Sequence, residues 1–442
     1  MYKEVSKLLL YSNLGIDSVL VKLCGIFEKW EKQKEDKDTL VHEIYVQVKR
    51  ILDLATGYGF DKNLWQNYLT FVIIQNENSF SLTCERQGVA EGGSVNVLAK
   101  KDFKIFKNLF NFDFSKIEKD LGIDCFSIIT NYTAIPKREQ IYNKTVSEAV
   151  RSLSEKIALA KDENEVFNLV TDHYKNCGVG MFGLNRAFRI GRENNNLVFY
   201  PINNADTVRL SDLVGYEIQK KQLVDNTKAF VDRRLANNAL LYGDSGTGKS
   251  SSIKAVLNEF YPQGLRMIEI YKHQFKDLSH VIAAVKNRNY RFIIYIDDLS
   301  FEENEIEYKF LKAVIEGGVE TKPDNILIYA TSNRRHLIKE TFSDRNDMQF
   351  NDEIHHSDTM EEKLSLSARF GVLINYSSPD REEFYEIVRT LAKRENINLD
   401  EETLLRKANQ WELRHGGVSG RTARQFINSL DGAENEKGNN NG

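Results

Sequence analysis

Residues 237–251 read NNALLYGDSGTGKSS, and this stretch decides how the rest of the chain is read. Ala239–Tyr242 is a short apolar run. Gly243 to Ser250 fits Gly-x-x-x-x-Gly-Lys-Ser/Thr, and 250–260 (SSSIKAVLNEF) spaces its apolar residues as a helix does. Strand, glycine loop and helix in that order make an anion cradle: glycines allow main-chain N–H groups to approach a phosphate, and the helix N-terminus adds positive potential. Lys249 is then the residue that reaches the β- and γ-phosphates, and the Ser250 hydroxyl binds Mg²⁺. Asp244, Ser245, Gly246, Thr247, Gly248 and Ser251 complete the expected nucleotide-binding set.

Working outward, further apolar runs at 265–271, 291–297, 325–331 and 372–377 alternate with helical segments. Strands apolar on both faces, separated by helices, predict an α/β core with a parallel sheet sandwiched by helices. The run RFIIYIDDLSFE ends on Asp297 and Asp298. Acids where a strand emerges suit a Mg²⁺ ligand (Asp297) and a water-polarising base (Asp298).

The order of these features resembles that of the AAA+ superfamily of ATPases. LSDLVGYEIQKKQL (210–223) resembles the segment that packs on adenine there, which implies contacts from Val214, Gly215 and Tyr216. IYATSNRRHL resembles the sensor-one strand end, with Asn333 as the residue that orients the attacking water and Ser332 as the alternative. LSLSARFGVLI resembles the arginine-finger segment, which implies that Arg369 is offered to a neighbouring subunit. GGVSGRTARQFINSL resembles the sensor-two helix of a lid, with Arg421 on the γ-phosphate and Arg424 as runner-up. Arg334 and Arg335 are further candidates for a subunit interface. A closer resemblance is to an uncharacterised bacterial AAA+ ATP-binding family. It rests on the phosphate loop, DDLSFE, LKAVIEGG, PDNILIYATSNRRHL, SDTMEEKLSLSARFG and GGVSGRTARQF, and reaches outside the core to GVGMFGLNRAFR (178–189). The resemblance implies ATP as nucleotide, Mg²⁺ as metal and ATP hydrolysis as activity. One departure is Asp298, where most AAA+ members carry Glu. A shorter acid implies a closer water, help from Glu302 or Glu303, or slow turnover suited to a switch.

The chain of 442 residues exceeds a usual single domain. The expected division is a mostly helical N-terminal partner or regulatory domain over 1–205, with a hairpin near 187–202, an AAA+ core over 206–377, a helical lid over 378–432 and a disordered tail over 433–442. A net charge of −4 gives no global attraction to nucleic acid or anionic membrane. The four cysteines are scattered singly, which gives zinc and redox chemistry no support. No window approaches the roughly 18 apolar residues of a membrane span, and a cytoplasmic location without membrane contact is expected. His355 and His356 among carboxylates read as exposed loop, and the polar segment 339–358 reads as a pore or interface loop or as a simply mobile one. Phe103, Phe106 and Phe110 at helical spacing read as a core helix rather than a nucleic-acid platform.

The leading functional expectation is a ring-forming homo-oligomer, a hexamer among its closures, that remodels or loads an unidentified protein partner engaged through the N-terminal domain. The alternatives are a DNA- or RNA-associated loader or motor, and a slowly hydrolysing ATP switch.

Overall fold

The computed structural model describes residues 1–89, 92–134, 144–203, 205–302, 305–316, 323–334, 337 and 366–439. These divide into two compact units: Met1–Arg186 with Pro201–Ala205, and Ala187–Tyr200 with Asp206–Gly442.

The first unit is helical. Its core is unusually aromatic: Phe27, Trp65, Phe103, Phe106, Phe114 and Phe126 are all nearly inaccessible, and Phe114 stacks on Phe126 with ring centroids 4.2 Å apart. Phe103, Phe106 and Phe110 all point inward from helix Ser94–Phe110, as their spacing requires. The same helix buries Asp102, whose carboxylate accepts the backbone N–H groups of Leu9, Leu10 and Tyr11 and so fastens the N-terminal segment. In the stretch GVGMFGLNRAFR, the buried Glu85 carboxylate accepts the Val179 N–H at the start of the short helix Gly180–Leu184.

The second unit is built on a seven-stranded sheet. Its strands are β1 (Ala187–Glu193), β2 (Asn196–Pro201), β3 (Ala239–Gly243), β4 (Leu265–Glu269), β5 (Arg291–Ile296), β6 (Ile326–Ser332) and β7 (Val372–Tyr376). Their order is β2-β1-β4-β5-β6-β3-β7. The pairs β1/β4, β4/β5, β5/β6, β6/β3 and β3/β7 are all parallel. Every residue of β5 and β6 is buried, as apolar runs without alternation predict for a sheet covered on both faces. The core is the expected α/β arrangement, a largely parallel sheet with helices between its strands. A lid of three helices, Arg381–Arg394, Glu401–His415 and Gly420–Asn439, has its own apolar core around Phe384, Leu391 and Phe426.

Two expectations need correction. The segment 187–202 does not remain with the N-terminal region: β1 pairs with β4 and extends the sheet. The buried side chains of Ala187, Phe188 and Ile190 supply an apolar strand for that edge. The last helix also runs to Asn439, through most of the expected irregular tail. Ala433, Glu434, Glu436 and Lys437 are good helix formers, which lets the turn pattern persist.

Register places the chemistry. β3 lies between β6 and β7, with Tyr242 opposite Ser332 and Gly243 opposite Tyr376. Ile296 lies opposite Ala330, so Asp297 emerges beside Thr331. The chain leaves β3 by crossing two strands to β4, and later crosses β3 to reach β7. Such a switch point, at the carboxyl ends of strands, is where open α/β sheets bind ligands.

Candidate functional site: a phosphate-loop cleft

A cleft of about 590 Å³ opens at the carboxyl end of β3. Ser245 to Ser252 form its floor. Helix Lys249–Phe260 starts there, with Gly248 as its N-cap. Two glycines are sterically required. A Cβ on Gly243 (φ +129°) would lie 2.2 Å from the Tyr376 carbonyl oxygen, and one on Gly246 (φ +79°) would lie 3.0 Å from the Arg421 Cβ. The loop is thus pressed between β7 and the lid.

Lys249 is 6% exposed and curls back on its own loop. Its ammonium donates to the carbonyls of Gly243 (2.8 Å) and Asp244 (2.6 Å) and to Oδ1 of Asn333 (3.2 Å). Burial pushes this ammonium below the usual lysine range, against the pull of the Asp244 and Asp298 carboxylates. A desolvated cation offered only carbonyl dipoles gains strongly from an anion. Nδ2 of Asn333 donates to Oδ1 of Asp298 at 2.9 Å. Lysine can only donate and carboxylate can only accept, so the two ends of the Asn333 amide are assigned by chemistry. Lys249, Asn333 and Asp298 form one chain of hydrogen bonds.

Beside it, the Ser250 hydroxyl donates to Oδ1 of Asp297 at 2.7 Å, and Thr331 donates to the same oxygen at 2.6 Å. Burial by itself would raise the Asp297 carboxyl, but the Thr331 and Ser250 hydroxyls outweigh it and hold the group below the usual carboxylate range. A hydroxyl and an ionised carboxylate converging within hydrogen-bond distance are a hard-oxygen donor pair, which fits Mg²⁺. Asp298 adopts a left-handed backbone, φ +52°.

The expected residues separate as follows. Val214, Tyr216, Ser245, Gly246, Thr247, Gly248, Lys249, Ser250, Ser251, Asp297, Asp298, Asn333 and Arg421 all line the cleft. Gly215 lines a neighbouring depression with Leu210 and Thr390 instead. Asp244 does not line the cleft: its carboxylate accepts the Ser378 N–H at 2.7 Å, at the junction between β7 and the lid. Ser332 is buried, accepts the Arg334 N–H and stays out of the cleft. Arg421 donates to Ser245 Oγ at 3.4 Å. Arg424 also lines the cleft but is paired with Glu395 at 2.8 Å. Arg369 is not among the lining residues and forms an ion pair with Glu316. Glu302 does not line the cleft. Glu303, Arg335, His355, His356 and the segment 339–358 lie outside the described residues.

Sequence reading missed Leu213, Ile387, Leu391 and Thr331, which also line the cleft. Ile387 and Leu391 come from the lid, one turn apart on a helix whose apolar stripe looks like any other. Thr331 left a signal, a hydroxyl at the carboxyl end of a largely apolar strand. Among the described residues there is no cluster of metal-ligating side chains of the His, Cys, Asp, Glu type, and no helix long and apolar enough to cross a membrane. None of the four cysteines is in a disulfide.

A family described as "Protein of unknown function (DUF815)" matches residues 184–434. The large subunit of replication factor C from Aeropyrum pernix is 31% identical over 100 residues, 21% of this chain. The chain spans about a fifth of that subunit's length. Among solved structures, the Thermotoga maritima RuvB Holliday junction branch migration motor is similar with a TM-score of 0.32 and 12% identity, over 50% of this chain and 72% of that one. A point mutant of the same RuvB gives a TM-score of 0.33 and 11% identity, over 51% of this chain and 72% of that one.

Proposed function

The chain belongs to the DUF815 family, and from that footing we propose that its cleft binds ATP with Mg²⁺ and hydrolyses it, the cycle of lid movements remodelling or loading a protein partner. The observation that carries this reading is the hydrogen-bonded chain Lys249–Asn333–Asp298 beside the Ser250–Asp297 pair. The loop amides and Lys249 hold the phosphates, and Arg421 reaches them from the lid. Leu213, Val214, Tyr216, Ile387 and Leu391 offer apolar surface to the base. Ser250 and Asp297 would hold Mg²⁺, which supplies charge neutralisation on the phosphate oxygens. Asp298 polarises the attacking water, and Asn333 orients it. When the phosphates draw Lys249 away from Asn333, the amide is released to that water.

The position of Arg369 outside its own chain's cleft supports a finger offered in trans, and so a head-to-tail assembly that closes into a ring such as a hexamer. The first unit is the part available to a protein partner. Replacing Lys249 with Ala should abolish ATP binding by calorimetry. Asp298→Asn should keep binding but lower turnover by at least about 10²-fold. An Asp298→Asn protein with full turnover would overturn the assignment of the base. The replication factor C likeness favours a second reading, a nucleic-acid-associated loader. Stimulation of turnover by DNA would select it.

A further inference from the structure

We propose that Thr331 is the positioning residue that sets both acids of the cleft at once. The inference rests on the hydrolase reading above and deepens it. Thr331 is 2% exposed and is neither of the residues that motif reading singles out on this strand. It grips three consecutive residues at the end of β5. Its hydroxyl donates to Oδ1 of Asp297 at 2.6 Å. Its Oγ1 accepts the Asp298 N–H at 2.9 Å. Its carbonyl accepts the Leu299 N–H at 2.7 Å.

The direction of each bond is fixed. A carboxylate accepts and an amide N–H donates, so the hydroxyl proton has one place to go. The first bond turns the Asp297 oxygen toward Ser250. The second and third hold the chain through the left-handed turn at Asp298, a conformation that costs a non-glycine residue energy and persists only where the surroundings impose it. That turn delivers the short Asp298 side chain to Asn333. A longer acid could reach from an ordinary extended backbone; aspartate needs the chain itself to bend. Thr331 supplies the bend and the metal-ligand orientation from one side chain.

The test compares Thr331→Val, which keeps the branched shape and removes the hydroxyl, with Thr331→Ser, which keeps the hydroxyl. Each full-length protein is assayed for steady-state ATP turnover. Calorimetry measures ATP affinity with Mg²⁺ and with a chelator, and thermal melts report folding. For Thr331→Val the expected result is a fall in kcat of about 10²-fold, the scale of a misplacement near 1 Å. The affinity gained on adding Mg²⁺ should be largely lost, while affinity in chelator is unchanged. Thr331→Ser should restore both. A folded Thr331→Val protein with normal kcat and normal Mg²⁺ dependence overturns the inference. Equal loss in Val and Ser variants also overturns it, since packing alone would then be responsible. Should Thr331→Val fail to fold, Thr331→Ala against Thr331→Ser poses the same question. Wild-type protein that does not bind ATP with Mg²⁺ would instead overturn the hydrolase reading itself.

Discussion

At the scale of single residues, what each neighbour can donate or accept decides most of the outcome. Asn333 is held between a cation and a carboxylate, and Lys249 is buried among carbonyl dipoles that hold it more weakly than an anion would. A different residue contributes to acid sensitivity. His173, on the helix Glu163–Asn176 of the first unit, is pushed down to about 4 from 6.5 by burial, with the nearby Lys156 charge adding to it. Its folded value lies below its unfolded value, so the unfolded chain takes up the proton first. The associated stability is present above pH 6.5 and is lost as pH falls toward 4, by up to about 3 kcal/mol. Urea melts of the wild type should show that loss over this window. His173→Gln should flatten the profile, and a variant with the wild-type slope would remove His173 as the cause.

At the scale of elements, the phosphate loop is tied to the junction between β7 and the lid. The Asp244 carboxylate takes the Ser378 N–H, and the Asp244 N–H goes to the Tyr376 carbonyl. The Arg421 N–H, at the start of the last lid helix, goes to the Gly246 carbonyl. Tyr216 adds its ring to Tyr376 (centroids 5.1 Å apart) and its hydroxyl to the Ser377 carbonyl. Ordering the loop around phosphates therefore bears on the lid at two points. Asp244→Ala should weaken ATP binding about three- to tenfold, the net scale of one ordinary hydrogen bond. Asp244→Asn keeps an acceptor and should fall between. Calorimetry checks the order, and equal affinities in all three proteins would show that the clamp does not couple to the nucleotide.

For the molecule as a whole, the two units each have a core, and the boundary between them matters. A fragment over 187–442 keeps β1 on β4, whereas one over 206–442 strips it. The first should melt cooperatively and bind ATP. The second should melt at least several degrees lower, since β2 and the inner strand β1, with three buried apolar side chains, are gone. Equal melting temperatures would count against β1 as part of the core. Assembly is tested by mixing. If Arg369 acts in trans, Arg369→Ala and Lys249→Ala proteins, each inactive alone, should together recover a fraction of wild-type turnover. Recovery at no mixing ratio would exclude a shared site.

The sequence by itself determined the nucleotide loop, the strands β3 to β7 and the acidic pair. Each is written in a local pattern: glycines where backbone must approach an anion, unbroken apolar runs where both sheet faces are covered, carboxylates where a strand ends. It could not place Asp244, whose side chain turns out of the cleft to a residue far along the chain, nor Thr331, whose partners belong to the neighbouring strand. It also left β1 with the wrong unit, because a strand's own pattern does not say which edge it joins. Tertiary structure decided these points, since hydrogen-bond partners and strand register are properties of chain segments brought together, not of either segment alone.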